Sequence, residues 1–538
     1  MRGKASVVAI LAGLGLAGTL AFRAPAQEEP RQGEERKVVY LPLSHAVALA
    51  LRNNHDIGIA EIDPRLAASD EMRALAAFDP TLFGSFEYEE SKKKQASTGL
   101  QGLFVGQSST PRIERFDWTT GVKKKYETGT EFTVQFTARQ TDVNGGSGDS
   151  LGGLGSLFGG SSGAFNPNYE TEALALVTHP ILRNFGFDAN LAEVRTARNN
   201  RVISTAALED EVRRTIGTTI LTYWDLVFAV ENRELRLESL ARAQRLLSIS
   251  RAQEAKQQAD PLAVLQAQVE VARVQGEVLQ SEQDLENVED ALKRLIMPDN
   301  LSFEKGAMIV PTEPQTLQPV DVDLEESIRL AMQNRSDVLG AEARLENNRI
   351  SIDRAKNQLL PLVNFKGGAG YFGLDDQIGD ATEDMVDLDN PLWRVGVEVE
   401  FPLGNRSAQG LFDRSRLELR RNQISLDKLR KQVIVEVREA HREIATSTNQ
   451  IATNHEARSL SEKQLEAETL RFERGLQSSN KNLLDFQEDL TQARLRELQA
   501  YVKYRKALVK LETSTGAQVR EYLRLGPLPV GYRHLEER

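Results

Sequence analysis

The chain has 538 residues, of which 40% are hydrophobic and only 6% aromatic, lean for the roughly three or four compact domains that this length suggests. Its 67 basic and 78 acidic residues give a net charge of -11, which disfavours a polyanionic partner such as DNA, because phosphate neutralisation needs a basic surface. There is no cysteine and the six histidines fall in no ligand spacing. Thiol catalysis, Cys-ligated zinc and disulfides are therefore excluded, and no cofactor, metal site or enzyme is expected.

Residues 1–26 read as a secretory signal peptide. Arg2 and Lys4 precede an apolar run from Ala5 to Phe22, and Ala24-Pro25-Ala26 supplies the small residues that place cleavage before Gln27. A short N-terminal segment, 27–42, follows. No other apolar run approaches the length a spanning helix needs. The exported protein is either soluble outside the cytoplasm or inserted through strands.

Two tandem repeats make up the rest, 43–298 and 321–516, divided by a Pro-containing linker, 299–320. At an offset of 281 they share Leu43/Leu324, Ala50/Ala331, Asn53/Asn334, Asp56/Asp337, Arg73/Arg354 and Pro80/Pro361 among ten identities in 38 positions. Each repeat opens with an amphipathic helix that ends at a proline. Pro64 interrupts the first of these helices where the second has Leu345, so a break is expected there.

Period-two sequence follows in both repeats. In the first, strands are expected at about 81–91, 115–126, 130–140 and, more weakly, 170–179. In the second they are expected at about 362–373 and 392–402. Leu82, Phe86, Trp118, Val122, Phe132 and Val134 recur on one side, as do Trp393, Val395, Val397 and Val399 opposite Arg394 and Glu398. The links 92–112, 141–168 and 374–390 are long, whereas Glu127 to Gly129 is tight, as in barrels with long external loops and short internal turns. Beyond the strands come proline-free helices of about 189–256 and 407–474, each on the order of 100 Å at 1.5 Å per residue. Returning helices occupy about 262–297 and 482–513, and a tail spans 517–538. Six one-sided strands cannot enclose a channel, and paired backbone is obligatory in lipid, so several chains must complete one barrel.

This order of elements, the Trp393 to Pro402 segment, and the stretch RFERGLQSSNKNLLDFQEDLTQAR from Arg471 resemble the TolC family of outer-membrane efflux proteins. The resemblance implies an α+β membrane protein: a homotrimer whose transmembrane β-barrel continues into a long periplasmic α-helical barrel. It implies an outer-membrane channel extending into the periplasm, conducting passively in a tripartite efflux or type I secretion system. The partners implied are a periplasmic adaptor and an inner-membrane pump of the RND or ABC type, with outer-membrane lipids around the barrel. The family plan has two strands per repeat, so the extra hairpin at about 115–139 is expected to join the barrel and raise eighteen strands in the trimer.

By the same resemblance the channel narrows at the hairpin tips. Asp485, Asp260 and Asn482 are then gate candidates, and Gly475 and Leu476 adaptor-docking candidates. A solvated charge and a simple helix end are the competing readings. Trp118, Tyr126 and Trp393 are candidates for aromatic girdles, with core packing as the alternative. The acidic link from Leu374 to Asn390 reads as solvated charge or a divalent-cation collector, and the Gly-rich stretch 145–163 as an external loop. The rival to a channel is a periplasmic coiled-coil adaptor or scaffold.

Overall fold

The computed structural model describes residues 38–92, 112–144, 167–256, 261–296, 308–313, 320, 322–474 and 480–516. The first repeat begins with β1 (Val38–Leu41) and helices α1 (Leu43–Asn53), α2 (His55–Ala60) and α3 (Ile62–Leu75). The helical run divides at Glu61, which places Pro64 in the first turn of α3, where its missing N–H has no intrahelical partner to lose. Strands β2 (Thr81–Lys92), β3 (Arg112–Lys125), β4 (Glu131–Asn144) and β5 (Asn168–Pro180) follow, then the short α4 (Phe187–Asn190), the 64-residue α5 (Ala192–Ala255) and the returning α6 (Pro261–Ile296). The second repeat runs through α7 (Leu324–Asn334), α8 (Ser336–Gln358), β7 (Leu362–Asp375), α9 (Ile378–Val386), β8 (Pro391–Glu400), the 68-residue α10 (Arg406–Glu473) and α11 (Asn480–Thr515). The duplication holds to the residue in places: α1 and α7 both have 11 residues, and α6 and α11 both have 36.

Two segments differ from expectation. The 299–320 linker contains strand β6 (Met308–Pro311), which pairs in parallel with β1. The pairing needs only four residues on each strand, too few to alternate visibly. It is fixed instead by burial of Leu41 and Ile309 and by Tyr223, whose hydroxyl donates to the Leu41 carbonyl (2.9 Å) and accepts from the Thr312 amide (3.1 Å). The 374–390 link is also not wholly loop. It forms α9, because Ala381 and Met385 bury against β5 and β7 and the Thr171 hydroxyl donates to the Ala381 carbonyl.

The helices lie in a layer one helix thick. Near the sheet the order is α3, α5, α8, α10, and polar contacts tie the four together at one level. Glu71 accepts from Arg198 and Arg201, Asn347 donates to Asn200, and Asn422 donates to Asn348. Farther from the sheet the order becomes α6, α5, α11, α10, tied by Arg236–Glu277, Arg494–Glu238 and Arg494–Glu462. Two apolar clusters sit where the short helices cross this layer: one around Val212, Ile216, Ile220 and Trp224 of α5, the other around Val433, Val437 and Ala440 of α10. Each large side chain buried there contributes about 1.5–3 kcal/mol.

Candidate channel site

The six long strands form one antiparallel sheet in the order β2-β3-β4-β5-β7-β8. The β3–β4 hairpin is thus an integral pair within the sheet. Its tight turn closes through Tyr126 N–H to Thr130 O (2.8 Å) and Gly129 N–H to Tyr126 O (2.8 Å). Gly129 has φ +91°, and a Cβ there would meet the Asn184 carbonyl at 2.4 Å. The position requires glycine both for the left-handed backbone and for close seating of the turn on the β5–α5 junction.

Register sorts the side chains into two chemically distinct faces. Leu82, Val122, Val134, Ala175, Ala369 and Trp393 form one cross-sheet row, and Phe86, Trp118 and Ala138 belong to the second row beyond it on the same side. This side is mostly apolar and, away from the patch that α9 covers at Thr171 and Gly373, open: Leu82 is 77% exposed and Trp393 76%. The opposite face is charged but paired. Arg139 bridges Asp117 (2.6 Å) and Glu170 (3.2 Å), Arg394 reaches Glu172 (2.5 Å), Lys366 meets Glu398 (3.0 Å), and Arg115 lies 3.8 Å from Glu89. Arg394 gets to Glu172 by crossing β7 above Gly368, where its Cγ lies 3.2 Å from the position of a Cβ. Exposed pairs of this kind add little stability. What they do is line a polar surface on which most charges have a partner of opposite sign. An apolar face and a polar face alternating along most of the strands is the pattern of a transmembrane barrel wall.

The sheet is open at β2 and β8, and so is the helix layer below it. Edge strand β2 follows edge helix α3, and edge strand β8 leads into edge helix α10. On α10, Leu417, Ile424, Val435 and Leu460 are exposed and lie within about 20° of one another at 100° per residue. They point away from buried Val433, Val437 and Ile444. Exposed Ile62 and Leu66 on α3, and Leu265, Val269 and Leu279 on α6, form the matching stripe on the other edge.

The sequence-derived site residues fall in two places. Trp118 and Trp393 stand on the apolar face, and Tyr126 follows β3 at the hairpin turn, all exposed. At the tip of the second helix pair, Asn482 and Asp485 lie exposed in the opening turns of α11. Asp260, Gly475 and Leu476 lie outside the described residues. Close behind the tip, Arg273 bridges Glu270 and Glu488. The hydrogen bond to Glu270 does most to hold its guanidinium above the ordinary range. Burial alone would raise the Glu488 carboxyl, but hydrogen bonds from Gln492 and Arg273 bring it below. In the acidic link, the carboxylates of Asp375, Asp376 and Asp380 converge, and the hydrogen bond to Asp375 raises the Asp376 carboxyl. The paired charges of the polar face escaped the sequence reading except for the phase of Arg394 and Glu398. Among the described residues, no helix is long and apolar enough to cross a membrane.

The fold is that of an outer-membrane channel subunit. It is similar to the CmeC outer membrane channel of Campylobacter jejuni (TM-score 0.64, 16% identity, covering 91% of this chain and 90% of that one). It is also similar to the outer membrane protein VceC of Vibrio cholerae (0.62, 15%, 88% and 96%). A further likeness is to the open state of the MtrE outer membrane channel of Neisseria gonorrhoeae (0.60, 14%, 89% and 89%). No curated protein matches by sequence. Residues 327–517 match the family described as outer membrane efflux protein, so the second repeat is similar to that family and the resemblance to the TolC family holds. CmeC and MtrE are described as outer membrane channels.

Proposed function

We propose that the chain is the outer-membrane component of a tripartite efflux or type I secretion system. Three copies close into an eighteen-stranded barrel in the outer membrane, above a helical tunnel in the periplasm, with residues 1–26 removed on export. Substrates delivered by an inner-membrane pump through a periplasmic adaptor leave passively. The domain divisions at 43–298, 299–320 and 321–516 follow the duplication. One observation carries this reading: the apolar-faced sheet and the helix layer end at the same two edges, so one rotation between copies closes both. Lipid would not tolerate the open strand edges.

The proposal is tested by isolating the protein from outer membranes and recording it in planar bilayers. Heat-resistant trimers with channel conductance are the expected result. A chain that stays soluble and monomeric without detergent sinks the proposal and favours the periplasmic scaffold.

Asp485, Asn482 and Asp260 are proposed to face the narrow end of the tunnel, where rings of carboxylates favour cations. Asp485→Asn should lower cation selectivity in the same recordings, and unchanged selectivity removes Asp485 from the gate. Gly475 and Leu476 are proposed as adaptor contacts. Leu476→Ala should impair efflux at normal trimer yield, and normal efflux in that variant ends the assignment. Trp118, Tyr126 and Trp393 are proposed to stand at the membrane borders.

A further inference from the structure

We propose a specific seam between copies: β8 of one subunit pairs antiparallel with β2 of the next, Pro391 opposite the partner's Glu90 and Glu400 opposite the partner's Thr81. The inference rests on closure by identical copies and adds the register, which sets the barrel's tilt.

The row from Leu82 to Trp393 crosses the whole sheet through hydrogen-bonded neighbours. If rows ran level around the ring, Trp393 would face the partner's Leu82 and Glu400 would face the partner's Leu75, which is in helix α3. Most of β8 would then have no strand to pair with. The stagger must be even, because an odd slip would turn apolar side chains into the polar lumen. A stagger of six residues pairs all ten residues of β8 with strand residues of β2.

That register keeps the apolar face continuous across the seam and adds one ion pair on the lumen side, where Leu392 meets the partner's Glu89 and Glu398 the partner's Phe83. On the lipid side, Val399, Val395 and Trp393 meet the partner's Leu82, the partner's Phe86 and the partner's Tyr88. On the lumen side, Arg394 stands opposite the partner's Glu87. A stagger of eight also stays within β2 but sets both Trp393 and Pro391 against charged residues on the lipid face, the partner's Glu90 and the partner's Lys92, whereas a stagger of six leaves only Pro391 against the partner's Glu90.

Six residues over six strand steps is one residue per strand. Advancing about 3.3 Å per 4.8 Å of strand spacing tilts the strands by about 35°, at the foot of the range for outer-membrane barrels. This tilt also orders the aromatic residues. With one residue of rise per strand, Tyr88, Trp118, Tyr371 and Trp393 come within one residue of a common height, while Phe132 and Phe365 share the lower height of Leu82. The apolar face between the two levels holds Gly84, Val122, Val134 and Val397, with Phe86 and Phe136 just below the upper level. Aromatic borders around an aliphatic band are what a bilayer selects, and of the aromatic positions only Trp393 entered the choice of six. Eighteen strands at this tilt enclose a ring about 34 Å across between backbones.

The chain has no native cysteine, so disulfide mapping has no background. Outer membranes bearing Ser85→Cys with Gly396→Cys, Arg394→Cys or Glu398→Cys are treated with a mild oxidant. Residues directly opposite lie within bridging distance, whereas a displacement of two residues exceeds about 7 Å. The Ser85→Cys/Gly396→Cys pair should give a covalent trimer in about tenfold excess over the other two. A Cβ at residue 396 meets no atom within 4 Å, so the substitution fits the subunit. If that pair fails to assemble, Gly84→Cys/Val397→Cys reports the same register from the lipid face. Preferential linkage through residue 394 or 398, or no linkage in any pair while heat-resistant trimers persist, overturns the seam and leaves the channel reading standing. A native protein without trimers or conductance overturns the channel reading itself.

Discussion

Arg335 and its counterpart in the first repeat, Asn54, solve one problem with different chemistry. Both sit at the joint between a short helix and the end of a returning helix. Asn54 caps α2 by accepting from the Asp56 amide (2.8 Å) and donates to the Leu295 carbonyl (3.1 Å). Arg335, only 6% exposed, forks onto Asp337 (3.0 and 2.6 Å) and reaches Glu436 (2.6 Å). Removing one partner of such a buried cluster costs about 3–5 kcal/mol, so Arg335→Met should lower the unfolding midpoint followed by helical circular dichroism. Burial alone would raise the Asp337 carboxyl, but hydrogen bonds from Arg335 and its charge hold it below its ordinary value. Its stabilising contribution is therefore full above the unfolded carboxylate range, near pH 4, and fades as pH falls through the lower folded value. Asp337→Asn should flatten that acid limb, and an unchanged limb counts against the cluster. At this scale the sequence was least legible. The Arg139–Asp117 and Arg394–Glu172 partners are 22 and 222 residues apart, and a charge in a strand carries no mark of its partner.

Elements were legible wherever their period was long or clean. The two long helices announce themselves by apolar recurrence and an absence of proline. β5 reads weakly although it lies in the middle of the sheet, because Leu174 and Leu176 on its polar side blur the alternation; Leu174 is buried there. Helix α9 was hidden because what stabilises it, contact with Thr171 and Gly373, lies outside its own sequence. A Cβ on Gly373 would meet the Ala381 carbonyl at 1.8 Å. The exposed stripe of α10 is likewise visible only when its buried side is known. Leu417→Asp with Ile424→Asp should abolish heat-resistant oligomers while leaving helical circular dichroism unchanged, since neither side chain is in the subunit's own core. Trimers of normal heat resistance would show that another surface joins the copies.

For the whole molecule, the inserted β3–β4 hairpin breaks the correspondence between strands and helices. Four strands continue into or out of the helix layer, whereas this pair only rests its turn on the β5–α5 junction through Gly129 and the Gly186 N–H to Thr128 O bond (3.1 Å). Deleting 112–144 should leave β2 free to pair with β5 in the same antiparallel sense. Twelve strands in place of eighteen reduce the barrel diameter by about a third. Polymers that enter the native pore from outside should then be excluded, as read by their failure to reduce conductance. An unchanged cut-off would place the hairpin outside the barrel wall. The shared edges of sheet and helix layer also have a genetic consequence. Each copy offers one donor and one acceptor flank, so a single subunit with a spoiled flank leaves a gap that its sound siblings cannot bridge. Mixed at random in equal amounts, sound and spoiled copies would complete about one assembly in eight, and alleles damaging either flank should behave as dominant.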